Sequence, residues 1–319
     1  MIGNLLIVAQ QVAVLFVLMG FGAAMRKAGF FKENAIDGIV NVLLLVVTPC
    51  LIVDVFQRPF DPSKLQGLGF AFALAVLIHI VLIVLAKVVV RHRNEDVRRP
   101  LLLAAVFSNA GFMGIPLEQA ILGDAGVFYG VVYIVVFNLF MWSWGLRTMC
   151  AVWNGDWGMG IGGHGMSLKM WVNPGTVGLA FGAPLFFLSM KLPAVIGTPV
   201  HHMANLNTPL AMIVIGYSLA GARFGKVMRT GALYVATVVR LVICPLLAII
   251  ALYPFRTALD RNMMLAMVIA ASAPVAAMVS MFAAKFRRDI DVSVAVVSGT
   301  TLLSILTMPV VIALAMELL

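Results

Sequence analysis

A chain of 319 residues that is 62% hydrophobic and 11% charged, with mean hydropathy +1.06, carries more apolar surface than a soluble core of its size can hide. That excludes a soluble enzyme, a disordered chain and a secreted disulfide scaffold, and it makes the solvent lipid. The net charge of +9 has the sign of a nucleic-acid footprint, but its basic residues fall between apolar stretches, as in a membrane protein.

A hydrocarbon slab about 30 Å thick takes about 20 apolar residues per helix. Ten stretches qualify: 3–25, 36–56, 67–90, 101–121, 126–151, 173–190, 204–222, 231–252, 263–284 and 292–316. The first charges, Arg26 and Lys27, follow the first stretch, the order of a transmembrane helix with its N-terminus outside rather than of a cleaved leader. Span 2 carries Thr48-Pro49 and Asp54, span 3 His79, span 4 the run Ser108 to Pro116, and span 5 Asn138. Residues 152–171 are glycine-rich and polar enough to be a linker. Their GxGxxG match at Gly158–Gly163 follows no strand and has no dinucleotide meaning. Gly178 and Gly182 in span 6 form a GxxxG that permits close helix contact, within the monomer or across a dimer. His201-His202 is assigned to an outer loop. Span 7 carries Asn207, Thr208 and Pro209, span 8 Arg240, span 9 Ser272-Ala273-Pro274-Val275, and span 10 Thr300, Thr301 and Ser304. Cys50, Cys150 and Cys244 lie far apart without a CxxC, so no zinc, redox or other metal framework is expected.

With the N-terminus outside, the inner loops hold Arg26, Lys27, Lys32, Lys87, Arg91, Arg93, Arg98, Arg99, Arg147, Lys169, Arg223, Lys226, Arg229, Lys285, Arg287 and Arg288. The outer loops hold only Arg58, Lys64, Lys191, Arg256 and Arg261. This positive-inside bias explains the basic balance without nucleic acid and predicts an inner-membrane protein with both termini outside and a cytosolic 152–171 linker.

Thr48-Pro49 and Thr208-Pro209 are 160 residues apart, and Pro116 and Pro274 are 158 apart, with similar flanks before the second pair. The sequence therefore predicts two five-helix repeats, 1–153 and 172–319, joined by the 154–171 linker. An odd number of spans turns the second half upside down, giving an inverted repeat. The fold class expected is an all-α polytopic membrane protein of ten transmembrane helices, a 5+5 inverted repeat whose proline-broken helices 4 and 9 cross. A mid-span proline frees a backbone group that lipid does not satisfy, so the break must lie in protein or at a wet cavity. Half-helix N-termini there would present bare N–H groups to an anion. Ser108, Asn109, Gly111, Gly114 and Pro116, with Ser272, Ala273, Pro274 and Val275, are the expected substrate-binding positions.

The segment SNAGFMGIPL, Ser108 to Leu117, resembles the signature of the auxin efflux carrier family. NVLLLVVTPCLI, WVNPGTVGLAFG, NTPLAMIVIGYSLAG, ASAPVAAMVSMFAAKF and TLLSILTMPVVIAL are similar to further family segments, so the likeness covers nearly the whole chain. The resemblance implies ten helices in a five-plus-five inverted repeat, similar to bile-acid/sodium symporters. It also implies a scaffold of spans 1, 2, 6 and 7, through which a homodimer forms, and a moving unit of spans 3–5 and 8–10. The long central hydrophilic loop of many plant members is absent, which suggests a bacterial member and argues against auxin as cargo.

Charges within spans are costly and point to function. Asp54 reads as an interfacial residue or as a partner of Arg240. Glu118 reads as a complement to the dipole of the half-helix after Pro116 or as the carrier of a coupling proton. Arg240 attracts a substrate carboxylate, pairs with a carboxylate such as Asp54, or snorkels. His79 reads as a hydrogen-bonded interior histidine ahead of a proton relay. Among the uncharged candidates, Asn138 and Thr300 rank first because the resemblance packs spans 5 and 10 on the crossover. The function expected is secondary transport of a small organic anion, a mono- or dicarboxylate such as a malonate-like acid, by elevator-like alternating access with no cofactor; coupling to H+, coupling to Na+ and no coupling all stay open, as do export and import. The rivals are a sodium-coupled bile-acid or pantoate-like symporter, a channel, and an intramembrane enzyme. The last needs paired carboxylates or a Ser/His pair at mid-span, and neither is found.

Overall fold

The computed structural model describes residues 2–30, 33–150, 174–222 and 225–319, which are helical with no named strand. The 152–171 linker and the boundaries drawn through it lie outside the described residues. In chain order the helices are α1 (Ile2–Lys27), α2 (Glu33–Val42), α3 (Thr48–Phe56), α4 (Pro62–Val89), α5 (Glu95–Val106), α6 (Ile115–Leu122), α7 (Asp124–Phe140) and α8 (Leu146–Cys150). They continue with α9 (Pro174–Phe187), α10 (Ala194–Asn205), α11 (Asn207–Ala220), α12 (Gly231–Val238), α13 (Cys244–Leu252), α14 (Arg261–Ser272), α15 (Met278–Lys285) and α16 (Ile290–Leu318).

Among the described residues, seven stretches are helical, long and apolar enough to cross a membrane: 2–27, 35–56, 64–89, 124–150, 194–220, 231–255 and 290–318. The protein is therefore a multi-pass membrane protein. The other three predicted spans are not long helices. The stretch 173–190 holds α9, whose 14 residues end at a turn where Ser189 has φ 53°. Stretches 101–121 and 263–284 are each divided between two short helices, α5 with α6 and α14 with α15. The seventh span starts earlier than predicted, so His201-His202 sits on α10 and not in a loop. The polarity of the pair marks an exposed helix flank, which a hydropathy pattern does not distinguish from a loop.

Widened π turns occupy Leu43–Val47, Ala110–Gly114, Met141–Gly145 and Val239–Ile243. Three of them are followed two residues later by Pro49, Pro116 and Pro245, each in the first turn of the next helix. A helical proline clashes with the carbonyl four residues back and donates no hydrogen bond. That carbonyl belongs here to Leu45, Phe112 or Leu241, inside the widened turn, so the turn absorbs the conflict without breaking the helix. Pro116 and Pro274 are thus not equivalent. Pro274 lies within an interruption, whereas Pro116 opens α6 after one.

α5 and α14 run through the centre: Arg99 to Val106 and Met263 to Ser272 are all buried. α1, α4 and α16 carry exposed apolar side chains such as Phe21, Val84 and Leu306, the faces that meet lipid. α1 packs on α11 through glycine. A Cβ on Gly22 would sit 2.1 Å from the Ile213 carbonyl oxygen, and one on Gly216 would sit 1.8 Å from that of Met19. Arg26 closes the same pair, donating to the Tyr217 carbonyl at 3.0 Å and lying over its ring. Gly178 and Gly182 let α9 lie close against α3: an added Cβ would sit 2.9 Å from Pro49 Cα at the first and 3.2 Å from Phe56 Cβ at the second, so the GxxxG contact lies within the monomer.

Gly216→Ala is expected to force α1 and α11 apart and cost about 1–3 kcal/mol, the usual penalty of overpacking. Gly20→Ala, on the same helix as Gly22 but facing open space, is the control. Melting of the detergent-purified proteins should show the first variant several degrees below wild type and the second unchanged.

Candidate functional site

α5 ends at Val106 and α14 at Ser272, and the next residues, Phe107 and Ala273, have extended backbone. The two extended segments pair antiparallel, with Ser108 opposite Val275. Ala276 N–H donates to the Phe107 carbonyl at 3.0 Å, and Asn109 N–H donates to the Pro274 carbonyl at 2.6 Å. Between them, Val275 N–H donates to Thr300 Oγ1 at 3.1 Å, and the Thr300 hydroxyl is anchored on the Val296 carbonyl at 2.7 Å. Groups freed by one interruption are thus met by the other and by α16, as burial in lipid demands. Pro274 fits this place because only its carbonyl is used.

Past the pairing, both segments turn into helix again, and both helix starts open on one cleft. Ser108, Asn109, Gly111, Phe112 and Ile115 line it from the first interruption, and Ala276, Ala277 and Met278 from the second. First-turn amides such as those of Gly111, Phe112, Ala277 and Met278 have no partner in a preceding turn and carry the positive end of the helix dipole. Val131, Ile134, Phe137, Asn138 and Trp142 form a second wall, and Leu44, Thr48, Leu51, Ile52, Gly175 and Asn207 a third. Among the described residues, no charged side chain lines the cleft. The Ser108 hydroxyl and the Asn207 amide nitrogen are buried without a partner among the described residues, so two further donors are free. The Asn138 amide nitrogen is spent on the Ile134 carbonyl at 2.9 Å.

Several expected positions lie elsewhere. Pro116, Gly114, Ser272, Ala273, Pro274 and Val275 are buried in the crossing itself and do not line the cleft. Ser272 Oγ donates to the Ile269 carbonyl, and Gly114 faces Ala270. Residues 276–278 take the place of 272–275, a three-residue displacement that follows from the extended backbone at 273. Asp54 is bound to His201, Oδ2 to Nδ1 at 2.9 Å, not to Arg240. His79 is buried on α4 with Nδ1 donating to the Ala75 carbonyl, and its ring stacks on Phe140. Thr301 and Ser304 bond to carbonyls of their own helix.

Arg240 does not line the cleft, pairs with no carboxylate among the described residues, and does not snorkel. It is fully buried in the π turn between α12 and α13. Nη1 donates to the Val106 carbonyl at 2.7 Å, and Nη2 donates to the Ala271 carbonyl at 2.6 Å and lies against Cys244 Sγ. Those carbonyls stand at the C-terminal ends of α5 and α14, where backbone acceptors have no helical partner. Glu118 is also buried and outside the cleft; its Oε2 has no partner among the described residues. It packs against Gly130 of α7, where an added Cβ would meet Oε2 at 1.7 Å.

Comparison with known proteins gives the same class from each half. Residues 7–155 match the model of a membrane transport protein family, and residues 208–319 match that of the sodium bile acid symporter family. An uncharacterized transporter of Methanothermobacter thermautotrophicus is 25% identical over 303 residues, spanning 94% of this chain and 96% of that protein.

The Glu118–Gly130 contact predicts a specific pair of outcomes. Gly130→Ala should destabilise by about 1–3 kcal/mol, because the carboxylate has to leave its seat. Glu118→Ala in the same chain should restore much of the loss, whereas Glu118→Gln, of the same shape, should not. Melting of the three variants distinguishes a steric seat from a general intolerance of α7.

Proposed function

We propose that the chain is a secondary carrier for a small organic anion, of the membrane transport protein and sodium bile acid symporter type that its two matched segments resemble. The observation that carries the proposal is the cleft onto which two half-helix starts open, offering bare amides, the Ser108 hydroxyl and the Asn207 amide but, among the described residues, no fixed charge. Such a set of donors suits one carboxylate head. Leu51, Ile52, Ile134, Phe112, Phe137 and Trp142 surround it, so a monocarboxylate with an apolar body fits better than a small dicarboxylate such as malonate, whose second charge would meet hydrocarbon.

The architecture that goes with this function is the ten-span, five-plus-five inverted repeat, crossing at the two interruptions. Its support lies in the helix registers. α5 and α14 are each 12 residues long and start at Glu95 and Arg261; their capping residues Asn94 and Asp260 each accept from the amide two residues on. α7 and α16 start at Asp124 and Ile290. Each pair is offset by 166 residues, not by the 158 that separates Pro116 from Pro274. Access alternates by movement of spans 3–5 and 8–10 against spans 1, 2, 6 and 7, which form the dimer. Both termini face out of the cell membrane and the 152–171 linker faces in, from the distribution of Lys and Arg. Glu118 is the one buried carboxylate among the described residues and is the group available to a coupling proton. The match of residues 208–319 to a sodium symporter family favours a second reading, sodium-coupled uptake on the same frame.

Uptake into proteoliposomes tests the proposal. Labelled benzoate should enter saturably and faster than labelled malonate. Ser108→Ala combined with Asn207→Ala, which removes the two unpartnered side-chain donors of the cleft, should lower benzoate uptake about tenfold or more, a loss of roughly 1.4 kcal/mol of stabilisation, with unchanged melting. Uptake equal to that of empty liposomes for a panel of carboxylates, or full uptake by the double variant, would overturn it.

A further inference from the structure

In carriers with interrupted helices, unwound carbonyls and half-helix C-terminal ends are the groups that hold a coupling sodium ion. In this protein the first half-helices end at Val106 and Ser272, and one carbonyl near each end is taken by the same side chain, Arg240. Each helix end carries roughly half a negative charge, so the two together present about one elementary negative charge. One guanidinium neutralises them. This is why a fully buried arginine is tolerated with no carboxylate within ion-pair distance among the described residues.

A sodium ion does not fit the same place. Two of its natural oxygen donors are spent, and a permanent positive charge lies within hydrogen-bonding distance of both. We propose that Arg240 is a built-in counter-cation at the crossing, occupying the seat that a coupling sodium would take, so that the chain folds and transports without sodium. This rests on the carrier reading and narrows its coupling, against the sodium-symport alternative. It also gives Arg240 a positioning role: the guanidinium holds the ends of α5 and α14 at a fixed separation, and with them the two helix starts that open on the cleft.

The first measurement needs no variant and no cargo. Melting of the purified full-length protein is followed in sodium chloride and in choline chloride at equal ionic strength. Equal melting temperatures are expected; a rise in sodium would overturn the proposal. The second measurement uses Arg240→Ala, which should melt several degrees below wild type and recover toward it in low millimolar guanidinium chloride, the free cation filling the vacated seat. Where Arg240→Ala does not fold, Arg240→Lys serves. It keeps the charge but not the two-pronged reach, and it should melt lower than wild type while still failing to respond to sodium. An Arg240→Ala protein that melts like wild type, or a folded one indifferent to guanidinium, would overturn the counter-cation role. Benzoate uptake in sodium-free buffer then separates the two readings. Uptake that requires sodium sinks the inference alone, whereas sodium-independent melting without any carboxylate uptake sinks only the carrier reading.

Discussion

A helix interrupted inside a bilayer exposes amide and carbonyl groups for which the surrounding hydrocarbon offers nothing, at a cost of several kcal/mol for each group left bare. One such interruption is close to prohibitive; two become tolerable when they lie side by side and use each other. That is the arrangement of Phe107–Asn109 and Ala273–Ala276, joined by two backbone hydrogen bonds with Thr300 supplying the acceptor between them. The rest of the interior follows from keeping those few residues together. α5 and α14 must run through the centre, so they are buried on all sides over their inner turns. α7, α13 and α16 wrap them, and the lipid-facing work falls to α1, α4 and the outer faces of α12 and α16.

The crossing also sorts backbone polarity. Helix starts open on one side, around a cleft, and helix ends converge on the other, around Arg240. On the carrier reading proposed above, the segregation would let the cleft attract an anion with no charged side chain among the described residues lining it. For a carrier that matters, because a lysine or arginine in the cleft would add binding energy that must be surrendered at release. Amide dipoles, a serine hydroxyl and asparagine amides give a weaker, directional hold. The strong charge is kept where nothing has to leave.

The membrane class was legible from composition, and most of the spans from their length, because hydrophobic runs are the direct signature of lipid contact. The neighbourhood of the crossing was legible too, since Asn109, Gly111, Gly114, Pro116 and Pro274 are poor helix formers in otherwise apolar runs. The register was not. Proline is comfortable in the first turn of a helix, so Pro116 marks where α6 begins rather than where the chain is interrupted. The repeat aligned on that proline is displaced from the helix registers accordingly. Arg240 was recognised as costly, but its partners are main-chain carbonyls, which every residue possesses and no side-chain pattern announces. His201 was read as loop because its partner, Asp54, is 147 positions away. The need for glycine at 130 is likewise set by Glu118 from another helix, and nothing in the flanking residues carries it.

Alternating access places a demand on where polar contacts lie, because breaking a buried hydrogen bond costs the desolvation of both groups, whereas sliding apolar faces past each other costs little. The buried polar contacts of this interior satisfy that demand. The paired interruptions, Thr300 and Arg240 connect only α5, α14, α16 and the turn between α12 and α13, all within spans 3–5 and 8–10. Spans 1, 2, 6 and 7 have their own closures, with α1 against α11 through Gly22 and Gly216 and α9 against α3 through Gly178 and Gly182. Between the two groups stands the wall of Leu44, Thr48, Leu51, Ile52, Gly175 and Asn207, mostly apolar, while the Asn4–Glu317 hydrogen bond that joins α1 to α16 is exposed. Under the alternating access proposed above, one group would shift against the other with its crossing, its counter-charge and its cleft amides intact, and the proposed anion would travel with them.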